Sequence, residues 1–182
     1  MEGMQFFPDE KLINKVEEQT SLFSRQDAEE MDLTSSATAK FVCQNTTNPD
    51  EVAWMSVHMQ LPYKESVFLS TAKRASEVSS KISEGMQFNF DARKLLHDHG
   101  CTSAPALLGY SHQMQPADGI VPRGYLFYLA TSKVPGIPLG TGTNSVTSQG
   151  LCQSDGVFWQ LPRKDRDRIR AAFEVAYRFV LN

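Results

Sequence analysis

At 182 residues the chain is long enough for one domain with a sizeable core and too short for two of ordinary size. Apolar residues at 41% and charged residues at 21% lie near globular averages, which excludes disorder or a coiled coil as a description of the whole chain. A net charge of -3 gives no global attraction to nucleic acid or to an anionic membrane, and neither is expected as a partner.

The N-terminus, MEGMQFFPDEKL, is acidic and broken by Pro8 where a signal peptide needs a basic start and a long apolar run. No stretch approaches the eighteen uninterrupted apolar residues of a membrane span. A cytoplasmic protein is expected. Cys43, Cys101 and Cys152 lie far apart, lack CxxC spacing and leave one thiol over in any disulfide scheme, so free thiols in a reducing compartment are expected.

In chain order, Leu12, Ile13, Val16, Leu22 and Phe23 form a loose helical stripe, which predicts one or two short helices in an N-terminal helical segment, 1–36. Ala39 to Gln44 reads as a short strand. After a turn at Asn45 to Asp50, residues 51–61 alternate, with Ala53, Met55, Val57, Met59 and Leu61 on the core face. Tyr63 to Leu69 is a connection or a further strand, and Thr71 to Gly85 a solvated helix or a linker. Phe88, Ala92, Leu95 and Leu96 recur at helical spacing, with Gly100 at the C-cap.

ALLGYSHQMQ, from Ala106, predicts a strand. A polar linker with Pro116, Gly119 and Pro122 leads to GYLFYLATSKVPGIPL, residues 124–139, a buried strand closed by a Pro-Gly-x-Pro turn. Residues 140–157, rich in Gly, Ser and Thr, read as a flexible loop. Pro162 then opens a C-terminal helix within 158–182, whose Ile169, Ala172, Phe173, Ala176, Phe179 and Val180 make one apolar stripe. That stripe runs to the last residue without a cap, so a truncated large lobe and a dimer or protein partner at this helix are expected.

Several local signals point to bland roles. His97, Asp98, His99 and Cys101 are zinc-ligand types, yet on a helix His97 and His99 point about 200 degrees apart; a surface helix end is the expectation, and no metal site. Gly140 to Ser145 lacks the Lys-Ser/Thr of a phosphate loop. The cluster Arg163 to Arg168 is interleaved with acids, as on a salt-bridged helix face. Nucleophilic work by Cys101 or Cys152 needs a base that spacing does not reveal, and the aromatics fall on apolar faces, where packing is the expected role.

Four stretches, VAWMSVHMQLPY (52–63), ARKLLHDHGCTSAPALLGY (92–110), PRGYLFYLATSKVPGIPL (122–139) and FWQLPRKDRDRIRAAFEVAY (158–177), resemble the fungal branch of the protein kinase-like and aminoglycoside phosphotransferase-like family. They cover about half the chain, in the family's order. The resemblance implies an α+β fold: a kinase-like small lobe with an antiparallel sheet, one packed helix and a hinge at 37–139, followed by the first helix of a large lobe. It implies ATP and magnesium as ligands and places Thr131, Ser132, Lys133 and Val134 in the hinge, with Ser132 and Val134 the best positions.

Phosphoryl transfer in that family needs backbone amides and a lysine on the phosphates, a magnesium-holding Asp and Asn, and a catalytic Asp. The chain departs from this pattern. Asn45 to Pro49 stands where a glycine-rich turn belongs, and Ser56 falls at the phosphate lysine's place. Lys73 replaces it if residues 66–73 are the third strand. The helix acid is Asp91, with Asn89 and Glu84 as alternatives. No catalytic-loop or DFG-like stretch occurs, and no residue is assigned a catalytic role. The expectation is a degenerate kinase-like protein, inactive alone, with vestigial nucleotide binding. The alternative is a regulatory module docking a partner through its cleft and C-terminal helix; an unrelated small α+β enzyme stands third.

Overall fold

The alternation at 51–61 folds as one strand of a five-stranded antiparallel sheet. Its strands are β1 (Glu10–Ser21), β2 (Ser36–Asn45), β3 (Val52–Gln60), β4 (Leu107–Met114) and β5 (Tyr125–Ser132), in the spatial order β1-β2-β3-β5-β4. This computed structural model describes residues 10–46, 48–137, 139–140, 144–146, 152–154 and 156–180. They form an α+β protein divided into two compact units, Met1–Lys133 and Val134–Asn182.

In the first unit the two faces of the sheet carry different cores. On one, the period of two brings Ala53 and Met55 of β3 together with Cys43 and Ala130, and Phe41, Val57, Leu108 and Tyr128 pack around them. The Cys43 thiol donates to the Ala53 carbonyl at 3.6 Å. The other face is covered by helix α3 (Glu84–Asp98), where Met86, Leu107, Phe127 and Leu129 are buried with Ile82, Phe90 and Tyr110 against them. Phe127 centres that cluster: the Phe90 ring meets it edge-on at 5.3 Å, His112 at 6.0 Å, and Tyr110 stacks at 6.4 Å.

Helix α3 forms where its sequence predicts, but turned. Phe88 and Leu95 are about two-thirds exposed, while Met86 and Phe90 face the sheet. The helix is apolar on two sides, and the aromatic pairing of Phe90 with Tyr110, at 4.5 Å, sets which side turns inward. Its end is as read: Gly100 has φ +68°, Gly100 N–H donates to the His97 carbonyl and Cys101 N–H to that of Leu96, a Schellman closure.

The N-terminal expectation needs correction. Residues 10–21 are a strand, and among the described residues of 1–36 only α1 (Arg25–Met31), capped by Ser24 accepting from Asp27 N–H, is helical. β1 is an edge strand held by its backbone ladder to β2, with register shifts at Leu12/Asn14 and Lys15/Glu17. Its side chains from Leu12 onward are exposed, so no buried face imposed the alternation by which a strand is recognised. It belongs to the sheet unit and not to a separate helical segment.

Between β3 and α3 the chain makes a 3-10 turn at Lys64–Ser66 and the short helix α2 (Thr71–Ala75). A buried polar network pins this connection. The Glu77 carboxylate accepts from Arg25 Nη2, Tyr63 N–H and the Ser66 hydroxyl. Gln60 donates to the Glu77 carbonyl and accepts from Ser79 N–H, and Gln115 donates to the Gln60 carbonyl.

The second unit contains a short hairpin, β6 (Asn144–Val146) with β7 (Cys152–Ser154), then α4 (Val157–Gln160) and α5 (Arg163–Val180). Phe158 and Trp159 meet edge-to-face at 5.1 Å, with Arg170 over the first ring and Arg166 over the second. Of the acids among the basic cluster, Asp167 pairs along the helix with Arg163 and Arg170. Half of the loop expected at 140–157 lies outside the described residues, and the described half carries the β6–β7 hairpin and the start of α4 where a flexible loop was expected; the side chains of Phe179 and Val180 at the end of the apolar stripe also lie outside the described residues.

Candidate functional site

A tight hairpin between β2 and β3 decides what faces what. It pairs Trp54 with Val42 and Ser56 with Lys40. On the other side of β3, Trp54 pairs with Thr131 and Ser56 with Leu129. Trp54, Ser56, Lys40, Leu129 and Thr131 therefore share the face that α3 covers farther along.

On that face two lysines converge on one indole. Lys40 Nζ lies 4.4 Å from the Trp54 ring centre, and Lys133 Nζ, from the residue after β5, lies 5.5 Å from it. Lys40 reaches Trp54 from one diagonal and Lys133 from the other. Each cation gains about 0.5–1 kcal/mol from the ring at such a half-open site, while the two ammonium groups repel each other.

No carboxylate neutralises either lysine within salt-bridge distance among the described residues. Glu17 stands opposite Lys40 on β1, and its carboxylate accepts instead from Gln19 at 3.2 Å. Glu51, at the hairpin, accepts from Asn45 and Asn48 at 2.9 and 3.0 Å.

The hairpin turn itself is closed on its own groups. Asn45 N–H donates to the Glu51 carbonyl, Glu51 N–H to the Asn48 carbonyl, and Asn48 N–H to Asn45 Oδ1. With β1 as the first strand, this turn joins the second and third strands, so Asn45 to Pro49 does not stand between the first two, where a glycine-rich turn was expected.

The residues singled out in the sequence are not all brought together. Thr131 is buried opposite Trp54 and Leu107. Ser132 closes β4 onto β5: its N–H donates to the Ala106 carbonyl and its hydroxyl accepts from Ala106 N–H, both at 2.9 Å. Lys133 lies over Trp54, and Val134, half exposed, begins the second unit.

Lys73 stands elsewhere. The strand that its assignment requires at 66–73 does not form, because Ser70 opens α2 by accepting from the amides of Lys73 and Arg74. Asp91 is exposed and accepts from Gln87 along α3, so it is not among the residues this helix turns toward the sheet; Glu84 and Asn89 are exposed as well.

Lys40 and Trp54 are the residues that sequence reasoning missed as a pair. The signal was present in the turn: a hairpin centred on Asn48 places Lys40 across from Ser56, and alternation then puts Trp54 beside both.

One other polar group has a structural explanation. His58 bonds through Nδ1 to the Thr38 hydroxyl at 2.8 Å and lies beside Phe127; burial lowers its pKa to about 4, so it packs as a neutral ring. An open pocket of about 690 Å³ is lined by Arg25, Gln26, Glu29, Glu30, Glu65, Ser66 and Leu69. Among the described residues no three His, Cys, Asp or Glu side chains gather as a metal ion would require, and no helix is long and apolar enough to cross a membrane. No protein-family model, curated protein or solved structure matches this chain.

Proposed function

We propose that the first unit is a degenerate kinase-like small lobe that binds a nucleotide in the cytoplasm without transferring its phosphate. The observation that carries this reading is the division of the chain between Lys133 and Val134, inside the segment that the sequence resemblance implies to be a hinge. The strand leading to that point, β5, runs beside β3 in an antiparallel sheet, and α3, inserted between β3 and β4, packs on it. Hinge recognition of a base uses backbone groups, and because the Ser132 N–H is taken by the Ala106 carbonyl it falls to the residues after Ser132.

Catalysis is not part of the reading. Ser56 cannot neutralise phosphate, and among the described residues no three acidic side chains gather as a magnesium site would require. Calorimetric titration with ATP tests it. Heat of binding that is unchanged by magnesium, with no ADP formed, is expected; no binding at millimolar ATP would overturn the reading.

A second reading, self-association through the C-terminal helix, is favoured by the exposure of Phe173, Val175 and Tyr177 on α5. Light scattering separates it: a second copy doubles the mass, and a monomer at all concentrations removes this reading.

A further inference from the structure

We propose that Lys40 and Lys133, held at either side of Trp54, are the anion-binding half of the nucleotide site, with Lys40 supplying from β2 the charge that Ser56 lacks on β3. This rests on the nucleotide-binding reading and names the ligand group it acts on, the polyphosphate chain.

The register carries the argument. Lys40 is the cross-strand partner of Ser56, so its side chain leaves the sheet from the same face and within one strand spacing. A cation taken from the neighbouring strand thus serves the same volume as one on β3 itself. Lys133 follows Ser132 directly, at the end of β5, so the segment that would meet the base also contributes a charge.

The geometry of the pair suits an anion. Both ammonium groups lie within 5.5 Å of one ring centre, hence within twice that distance of each other. The ring's negative face holds each, but it carries no net charge and does not cancel their mutual repulsion. Glu17, across from Lys40 in the register, and Glu51, in the turn, hydrogen-bond to Gln19, Asn45 and Asn48 and make no salt bridge to either lysine among the described residues. A polyphosphate spans two such cations with separate oxygens, as a single carboxylate does not.

The test is calorimetry on the full chain with ATP, adenosine and inorganic tripolyphosphate as separate probes, using Lys40→Gln, Lys133→Gln, Lys40→Arg and, as control, Lys73→Gln. Thermal melts of each variant establish that it folds. Lys40→Gln is expected to weaken ATP and tripolyphosphate at least tenfold and to leave adenosine unchanged. Lys40→Arg should restore most of the loss, and Lys73→Gln should have no effect. ATP bound equally by wild type and Lys40→Gln overturns the inference while leaving nucleotide binding in place. Tripolyphosphate bound through Lys40, with neither ATP nor adenosine bound, upholds the anion site and overturns the nucleotide reading. Binding of neither ATP nor tripolyphosphate overturns both.

Discussion

Arg25 Nη2 lies 2.9 Å from Glu77 Oε1, tying α1 to the connection between β3 and α3 across fifty-two residues of sequence. The two ends of this pair differ in environment, since the Glu77 side chain is 2% exposed and that of Arg25 55%. The acid also accepts from Tyr63 N–H and the Ser66 hydroxyl. Glu77→Ala should therefore cost about 2–4 kcal/mol, because it strands several buried donors, whereas Arg25→Ala should cost about 1–2 kcal/mol. Urea unfolding of both variants checks the ordering; equal costs would show that the pair, and not the buried acid, holds the connection.

Gly124 lies against the same network. A Cβ there would meet Gln60 Oε1 at 2.7 Å, the Val121 carbonyl oxygen at 3.0 Å and Gln115 Nε2 at 3.1 Å. Gly124→Ala is expected to destabilise by about 1–3 kcal/mol. A denaturant midpoint equal to wild type would mean the two glutamines can move aside.

The orientation of α3 predicts a contrast between neighbouring phenylalanines. Phe127→Ala should cost about 3–5 kcal/mol by emptying the centre of the aromatic cluster. Phe88→Ala, on the exposed side, should stay within about 0.5 kcal/mol. The same unfolding measurement decides; a large Phe88 effect would mean that its side of the helix is the packed one.

His58 gives the fold a pH dependence of known sign. Its pKa in the folded chain, about 4, lies below its ordinary value of 6.5 because burial disfavours the charged ring. As pH falls, the unfolded chain binds the proton first, so stability is fully present above about pH 6.5 and is lost toward pH 4. The loss attributable to this ring is about 2 kcal/mol by pH 5. Urea unfolding at pH 7.5 and pH 5 should show that drop in wild type and a smaller one in His58→Gln; equal drops would assign the effect to other groups.

The parts of the fold legible in the sequence are those where burial imposes a period. Ala53, Met55 and Val57 announced β3 because one of its faces is buried in the sheet core, and Gly100 announced the end of α3 because its φ of +68° favours glycine. β1 was hidden since its exposed side chains follow no period, and Leu12, Ile13 and Val16 fit a helix equally well. The α3 face was misjudged because Phe88, Ala92 and Leu95 fall at helical spacing as Met86, Phe90 and Arg93 do, and only the cross-element contact with Tyr110 and Phe127 chooses between them. For the candidate site, Lys133 lies in a segment the sequence singled out, but Lys40 needs the hairpin register before it stands beside Ser56. Lys73 was drawn in by a strand-like composition that the turn at Ser70 overrides.

The most direct measurement of the central claim is amide hydrogen exchange of the full chain with and without ATP. Nucleotide binding at the proposed place predicts slower exchange in peptides covering Thr131 to Val134 and in those covering Lys40 and Trp54, with the remainder of the sheet unchanged. No protection at saturating ATP, or protection confined to peptides remote from both segments, would contradict it.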